Sequence, residues 1–511
     1  MQTLIPIQDN NSISRTNAIS KLRPGAHVHI IGIAGAGTAA VCALLKQLGF
    51  KVTGSDKAFY PPMGDVVRNL ADELFEGFSE NNLKPHPDLV VIGNSIRANN
   101  TEAHYALSNN LPYASMPEIF AALLIGDRTH SSKSIVVIGT HGKSTTTGLI
   151  ANMLDKANFR PGYFVGGVVK DLPSTIRPID LSMPLERRFV VLEGDEYDSA
   201  FFAKWPKFHS YRPDILVVTS LEFDHADIYR NVEEIEIEFS RLVEKMPVDG
   251  IILACGDEER LNSLAHKWMD NSAVKAKVFL YGAKDSCDFI LLGRRQVNEN
   301  DALKQTLELG LDGETLKLTT RLLGEYNALN VLAAAAVGKK LGLTECEILP
   351  GIEHFCGVAR RQDIVAEING ITVMEDFAHH PTAVRAVLRS LRESYPHRRL
   401  IAVFEPRSNT SRRSCFQQDY ERAFDQANLS IIAEVKDTAI YSNTASDAKT
   451  LDAKQMVEII KKRGGQALAL SNATAIKDFL LGEFRTGDLV VIMSNGDFDG
   501  LLPSLLNDLR H

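Results

Sequence analysis

Ile135-Val136-Val137-Ile138-Gly139-Thr140-His141-Gly142-Lys143-Ser144-Thr145 reads as a buried strand, a glycine loop and the first turn of a helix. β-branched residues suit a strand covered on both faces, and the two glycines let backbone N–H groups converge on phosphate oxygens. A helix from Ser144 to Ala157 adds its positive N-terminal end. Lys143 meets the β- and γ-phosphates and the Ser144 hydroxyl reaches a magnesium ion, so the stretch predicts a nucleoside triphosphate site. The loop has one residue fewer before its lysine than G-x-x-x-x-G-K-[ST]. A chance glycine turn would not set strand, loop, lysine, hydroxyl and helix in this order.

Acidic clusters follow two further apolar runs. Glu193-Gly194-Asp195-Glu196 succeeds Phe189 to Leu192, and Glu222-Phe223-Asp224-His225 succeeds Ile215 to Thr219. Carboxylates at the ends of parallel strands suit hard Mg²⁺, although capping or a solvated face would also explain them. A third run covers Gly250 to Ala254, and the alanine-rich helix Ala328 to Leu341 closes this region.

Before the loop the chain alternates strand (His27 to Ile33), helix (Ala39 to Leu48) and strand (Lys51 to Gly54). After it, apolar runs recur at Ile371, Leu400 to Phe404, Ser430 to Ala433 and Leu489 to Met493. The class is α/β, and 511 residues exceed what one core supports. The expected division is a tail over 1–25, then domains over 26–128, 129–355 and 356–511, with the polar stretch Asp127 to Ser134 at the first boundary.

Apolar residues are 44% and charged residues 23% of the chain, as in ordinary globular proteins. A net charge of −8 argues against nucleic acid as the main partner. No apolar run reaches the roughly 18 residues that span a bilayer, so membrane insertion is not expected. The six scattered cysteines form no C-x-x-C pair and read as buried thiols of a reducing, cytoplasmic compartment.

Three more segments carry candidate chemistry. The turn Gly32-Ile33-Ala34-Gly35-Ala36-Gly37 departs from G-x-G-x-x-G but has its strand-to-helix setting, with Asp56 ending the next strand. It either binds a diphosphate or serves packing alone; its spacing disfavours a nicotinamide oxidoreductase. Asp376-Phe377-Ala378-His379-His380-Pro381 ends another strand, and its histidines read equally as nucleotide contacts, metal ligands or core residues. With no third soft ligand nearby in sequence, zinc is not expected there. Arg360, Arg361, Arg407, Arg412 and Arg413 either clamp anions or form surface ion pairs.

These segments together, from about His27 to Leu505, resemble the Mur ligase family of ADP-forming amide ligases, which build the peptide of the bacterial cell wall. Gly139 to Thr145 resembles its ATP loop, Glu193 to Asp198 its magnesium-binding strand end, and Asp224-His225 its second metal site. Gly324-Glu325-Tyr326-Asn327-Ala328-Leu329-Asn330 resembles the stretch whose asparagine meets adenine. The resemblance implies a Rossmann-like N-terminal domain for a UDP-sugar, a central P-loop domain with a mostly parallel sheet, and a Rossmann-like C-terminal domain for the peptide.

It further implies catalytic roles for Lys143, Glu193 and His225, with Mg²⁺ on Ser144, Glu193 and His225. ATP would meet Gly139, Thr140, His141, Gly142, Lys143, Ser144, Thr145, Asn327, Arg360, Arg361, Asp376 and His380. The UDP-sugar would meet Gly35, Gly37, Asp56, Ser95 and His141, and the peptide Arg407, Ser494, Asn495 and Gly496.

Within the family, the first glycine turn and the Asp376 to Thr382 segment are similar to the branch that accepts UDP-N-acetylmuramate. The stretches Gly194 to Phe202, Tyr211 to Asp214, Leu221 to Asp227 and Phe404 to Thr410 are closest to members that add the murein tripeptide L-alanyl-γ-D-glutamyl-meso-diaminopimelate in peptidoglycan recycling. Members that add L-alanine in biosynthesis share every ATP-site feature. A monomer or weak homodimer is expected. Three departures stand out: Glu233 to Ser240 lacks the lysine that is carbamylated elsewhere in the family, Ala359 replaces a lysine, and Asp497 and Asp499 enter a loop that is usually glycine-rich.

Overall fold

Strand Lys133–Ile138 is buried from Ser134 to Ile138 and runs through the middle of the largest sheet, between strands Ile215–Val218 and Phe189–Glu193. All three are parallel, so their carboxyl ends come out side by side, Ile138 level with Val218 and Val137 with Glu193. The phosphate loop and both acidic clusters therefore emerge along one edge. This computed structural model describes residues 10–60, 63–126, 132–299, 302–435 and 450–510. The boundary expected at 128, most of the stretch Asp127 to Ser134 and the first nine residues of the expected tail lie outside the described residues.

Helix Lys143–Lys156 packs on helices Glu325–Lys340 and Glu345–Glu353. The backbones come so close that a Cβ on Gly351 would lie 2.3 Å from Met153 Cα. Helix Glu325–Lys340 is apolar on every side and buried from Val331 to Gly338, as a helix inside a large core must be. The sheet continues through an antiparallel extension, Phe289–Glu299, Ala302–Leu311 and Glu314–Thr320, that the sequence reading did not anticipate.

The first sheet has, among the described residues, the order Glu73–Glu76, Lys51–Asp56, His27–Ile31, Leu89–Ile92, Tyr113–Ser115, with every pair parallel. The order reverses between His27–Ile31 and Leu89–Ile92, and the glycine turn lies at that switch point, where α/β sheets bind ligands. The third sheet runs Asp363–Ile368, Ile371–Asp376, Leu489–Met493, Leu400–Phe404, Leu429–Ala433, Ala467–Leu470, antiparallel only at its first pair. Asp376 and Phe404 both register with Met493, so three loops rise from neighbouring strand ends here too.

Element edges shift modestly from the expected ones. The first helix is Ala36–Gln47, three residues earlier, because Gly35 acts as its N-cap; the loop helix starts at Lys143, and the alanine-rich helix starts at Glu325. Part of the expected tail, Asn10–Ile19, is instead a helix: Ile19 is buried and Arg15 pairs with buried Glu118 at 2.9 Å. Cys42, Cys255 and Cys287 are buried as expected, whereas Cys346, Cys356 and Cys415 are exposed.

One apolar cluster runs continuously through the first two sheets, while the third sheet has a cluster of its own on each face. Polar contacts join the third sheet region to the second, beside the packing of Tyr326 on the third sheet's cluster. Asn409 Nδ2 donates to Asp227 at 3.2 Å, the Ala226 N–H donates to Thr410 at 3.2 Å, and Arg294 pairs with Glu393 at 3.0 Å. Such a seam opens and closes more readily than a shared core.

Candidate active site

The phosphate loop needs glycine at both ends. Gly139 has φ +125°, and a Cβ there would lie 2.5 Å from Thr219 Oγ1; Gly142 has φ +82°, and its Cβ would lie 2.6 Å from Asn330 Oδ1. Only glycine adopts these angles without strain, and the space saved brings the loop against the neighbouring strand end and helix. Ser220 Oγ accepts the His141 N–H at 2.8 Å, and Thr146 donates to Asn330 at 3.1 Å. The loop is thus held open by side chains on both flanks.

Lys143 curls back in this loop. Its ammonium donates to the Gly139 carbonyl at 2.5 Å and pairs with buried Glu196 at 2.9 Å. Burial alone would lower its pKa, but Glu196, Asp195 and Glu193 outweigh that and raise it. The lysine is therefore charged and ready to exchange carboxylate for phosphate. Glu193 accepts from Ser144 Oγ at 2.9 Å and from the Gly166 N–H at 2.6 Å, and burial holds its pKa above the usual carboxylate value despite Lys143.

His225 meets this network through Glu196. It faces Glu196 at 3.7 Å, and Asp195, Glu196 and His225 present ligand atoms within 4.8 Å of one another. Burial would lower its pKa, but Asp224 and Glu196 push it up to about 9. Burial would likewise raise Asp224, which His225, His379 and His380 instead hold well below the carboxylate range. Of the expected set, Ser144 and Glu193 are in direct contact, and His225 lies against Glu196.

A cleft of about 470 Å³ lies between the second and third sheets, lined by the loop, Glu193, His225, Asn327, Arg361 and His380 among others. Asn327 is buried at its wall, donating to the Leu323 carbonyl at 2.8 Å and accepting from Asn330 at 3.2 Å. Asp376 accepts the N–H groups of Gln362 and Ala378, each at 2.7 Å, and burial raises its pKa against the pull of Arg361. The exposed Arg361 guanidinium lies 4.8 Å over the Phe377 ring and faces the cleft.

Arg360, expected at ATP, does not line this cleft. Its φ of +62° turns the side chain toward Glu375 at 2.6 Å and to the carbonyls of Ser494 and Gly496. It braces the loop expected to hold peptide. In that loop Ser494 donates to Glu405 at 2.6 Å and Arg407 pairs with Asp497 at 2.5 Å. The Asn495 side-chain oxygen is buried and has no hydrogen-bond partner among the described residues.

His141, expected at both ATP and the sugar, faces Glu222 at 3.1 Å, and His380 faces the same carboxylate oxygen at 3.1 Å. The tertiary structure thus supplies His380 with companions that the sequence did not put near it. Burial, joined by the neighbouring His141, lowers the His380 pKa to about 4. Glu196 and Glu222 were expected only as members of acidic clusters suited to Mg²⁺, and Asn330 only as part of the Gly324 to Asn330 stretch; none had a role of its own. The signal that could have found Glu196 and Glu222 is their place at ends of strands flanking the loop strand.

At the first sheet, Gly32 has φ +78° and the Ala34 N–H donates to Asp56 at 2.9 Å. A Cβ on Gly37 would lie 2.5 Å from Met116 Sδ. Ser95 is exposed beside Ile96, whose side chain packs under Gly32. Gly35, Gly37, Asp56 and Ser95 belong to the loops around the switch point of the first sheet.

Three family profiles match in order: the Mur ligase family catalytic domain over residues 27–128, the Mur ligase middle domain over 137–338, and the Mur ligase glutamate ligase domain over 360–496. The chain belongs to the Mur ligase family. This Mur ligase is accordingly an ATP-dependent amide ligase with the family's three-domain α/β fold. It is 32% identical to the UDP-N-acetylmuramate–L-alanyl-γ-D-glutamyl-meso-2,6-diaminoheptandioate ligase of Escherichia coli (strain K12), over 94% of this chain and 98% of that one. It is 29% identical to the UDP-N-acetylmuramate–L-alanine ligase of Clostridium tetani, over 92% and 95% of the two chains. The crystal structure of a murein peptide ligase from Psychrobacter arcticus superimposes with a TM-score of 0.67 at 29% identity, covering 95% of this chain and 99% of that one. Among the described residues no helix is long and apolar enough to cross a membrane.

Proposed function

We propose that this Mur ligase joins UDP-N-acetylmuramate to the tripeptide L-alanyl-γ-D-glutamyl-meso-diaminopimelate, with ATP converted to ADP and phosphate, in peptidoglycan recycling. The observation that carries the choice of amine is the full-length similarity to the E. coli tripeptide ligase, at 32% identity. We assign the three segments 26–128, 129–355 and 356–511 to the UDP-sugar, ATP and peptide respectively. A monomer or weak homodimer in the cytoplasm, where ATP and UDP-sugars are made, fits this reading.

The chemical obstacle is a carboxylate approaching a phosphate. The muramate carboxylate takes the γ-phosphoryl group, ADP leaves, and the alanyl amine then attacks the acyl phosphate, expelling phosphate as the amide forms. Lys143 lies where it can carry positive charge to the transferring oxygens, and the loop N–H groups add fixed dipoles. Ser144 and Glu193 present oxygens 2.9 Å apart, near the roughly 3.0 Å between adjacent ligands of an octahedral Mg²⁺. Those two would hold Mg²⁺, with Asp195, Glu196 and His225 available to a second ion. The metal would supply charge neutralisation at the phosphates.

Arg361 and Asp376 are suited to the nucleotide side of the cleft, and Asn327 to adenine once it exchanges its internal hydrogen bonds. At the first sheet, Gly35, Gly37, Asp56 and Ser95 suit a diphosphate and ribose at a helix N-terminus. Arg407, Ser494, Asn495 and Gly496 are left for the tripeptide, where the unpartnered Asn495 oxygen suits an ammonium or amide donor. An ADP-release assay with UDP-N-acetylmuramate and either tripeptide or L-alanine tests the proposal. Tripeptide should support the faster turnover; faster turnover on L-alanine would assign the chain to the alanine-adding reaction instead.

A further inference from the structure

His141, Glu222 and His380 come from the phosphate loop, the next strand end and the N-cap of helix Pro381–Ser394. His141 Nε2 and His380 Nδ1 both lie 3.1 Å from Glu222 Oε2, and the three ligand atoms fall within 4.8 Å of one another. Two ligands on a tetrahedral ion at about 2.0–2.1 Å are separated by roughly 3.3 Å. The two contacts with Glu222 are close to that spacing.

The hydrogen bonds around His380 point the same way. Its Nε2 lies 3.2 Å from the Phe223 carbonyl oxygen, which fixes the proton on that nitrogen. The Thr382 N–H donates to Nδ1 at 3.4 Å as the cap of the helix, so Nδ1 carries a lone pair, and an ion would take that lone pair from this long hydrogen bond. Glu222 Oε2 lies 3.1 Å from the same nitrogen, and a cation shared by the two would relieve this contact of electron-rich atoms. A ligating imidazole commonly has its other nitrogen on a backbone carbonyl, as here. His141 and Glu222 are about a quarter exposed, at 25% and 26%, and border the large cleft, leaving an entry path and an open fourth position.

We propose that His141, Glu222 and His380 form a binding site for a borderline divalent cation such as Zn²⁺ or Co²⁺, separate from the Mg²⁺ position at Ser144 and Glu193. Two imidazoles and one carboxylate favour these ions over Mg²⁺, which takes oxygen ligands. The ion would tie the phosphate loop and strand end of the second sheet to the first helix turn after Asp376 in the third. It would therefore hold the two regions together across their polar seam, independently of which amine the enzyme accepts.

Co²⁺ added to the full-length protein in excess Mg²⁺, without nucleotide, tests the site through its visible absorption. One equivalent should bind with a tetrahedral or five-coordinate spectrum, and X-ray absorption on the unsubstituted protein should count two imidazoles. His141→Gln and His380→Gln should each weaken binding by about 10- to 100-fold or more, while Asp195→Asn leaves it unchanged. If His380→Gln does not fold, His141→Gln and the imidazole count decide. No binding in excess Mg²⁺, a near-ultraviolet thiolate band from cysteine ligation, or loss of binding in Asp195→Asn alone would each overturn the proposal.

Discussion

The glycine turn at Gly32 to Gly37 and the loop at Gly139 to Thr145 are built alike, each leading from a buried parallel strand into a helix, yet they differ in charge. At the first, the Asp56 carboxylate accepts the Ala34 N–H at 2.9 Å. The second surrounds a buried lysine with Glu193, Asp195 and Glu196. A site that only grips a diphosphate needs backbone donors and a shaped turn. One that transfers a phosphoryl group also needs mobile charge, and it pre-stores that charge as ion pairs that substrate can displace.

Lys143→Ala should break this contrast most severely. ADP release should fall on the order of 10³-fold or more, because the charge acts chiefly on the transferring phosphoryl group. Binding of UDP-N-acetylmuramate, measured by calorimetry, should stay within a few-fold of the original. Equal loss at both sites would show that the two loops are not functionally separate.

Gly142→Ala comes next. With φ +82° and a Cβ 2.6 Å from Asn330, it should lower stability by about 1–3 kcal/mol and weaken ATP binding, read by denaturant unfolding and nucleotide titration. Gly37→Ala should be milder, since the thioether of Met116 can move aside. It should raise KM for the UDP-sugar several-fold with little change in kcat.

The charge contrast also predicts a pH dependence. His225 has its folded pKa raised to about 9 from 6.5, so its stabilising contribution is fully present below pH 6.5 and is lost as pH rises through 9. The melting temperature should fall by a few degrees across that window, and His225→Gln should flatten the profile. An unchanged profile would remove His225 from the charged network. Asp497→Asn should have the smallest effect: it frees Arg407 from an exposed pair, and stability should change by less than about 1 kcal/mol. If Arg407 serves the peptide, KM for tripeptide should shift while KM for ATP does not.

Much of this was legible in sequence because it is local. Strand, glycine loop and helix follow one another within a dozen residues, and buried parallel strands announce themselves as unbroken apolar runs. The helix Asn10–Ile19 was less legible, since its polar composition hides the few contacts that dock it, Ile19 and Arg15 among them. Arg360 and Arg361 are neighbours in sequence, yet the positive φ at Arg360 sends one to Glu375 while the other faces the cleft.

The sequence by itself determined the α/β class, the phosphate loop and the acidic strand ends, because hydrophobic periodicity and glycine spacing act over a few residues. Tertiary structure alone decided which distant groups meet: Lys143 and His225 on Glu196, and His141 with His380 on one oxygen of Glu222. Those pairings follow from strand order, and strand order is chosen by burying whole sheets, a long-range balance that no single segment records.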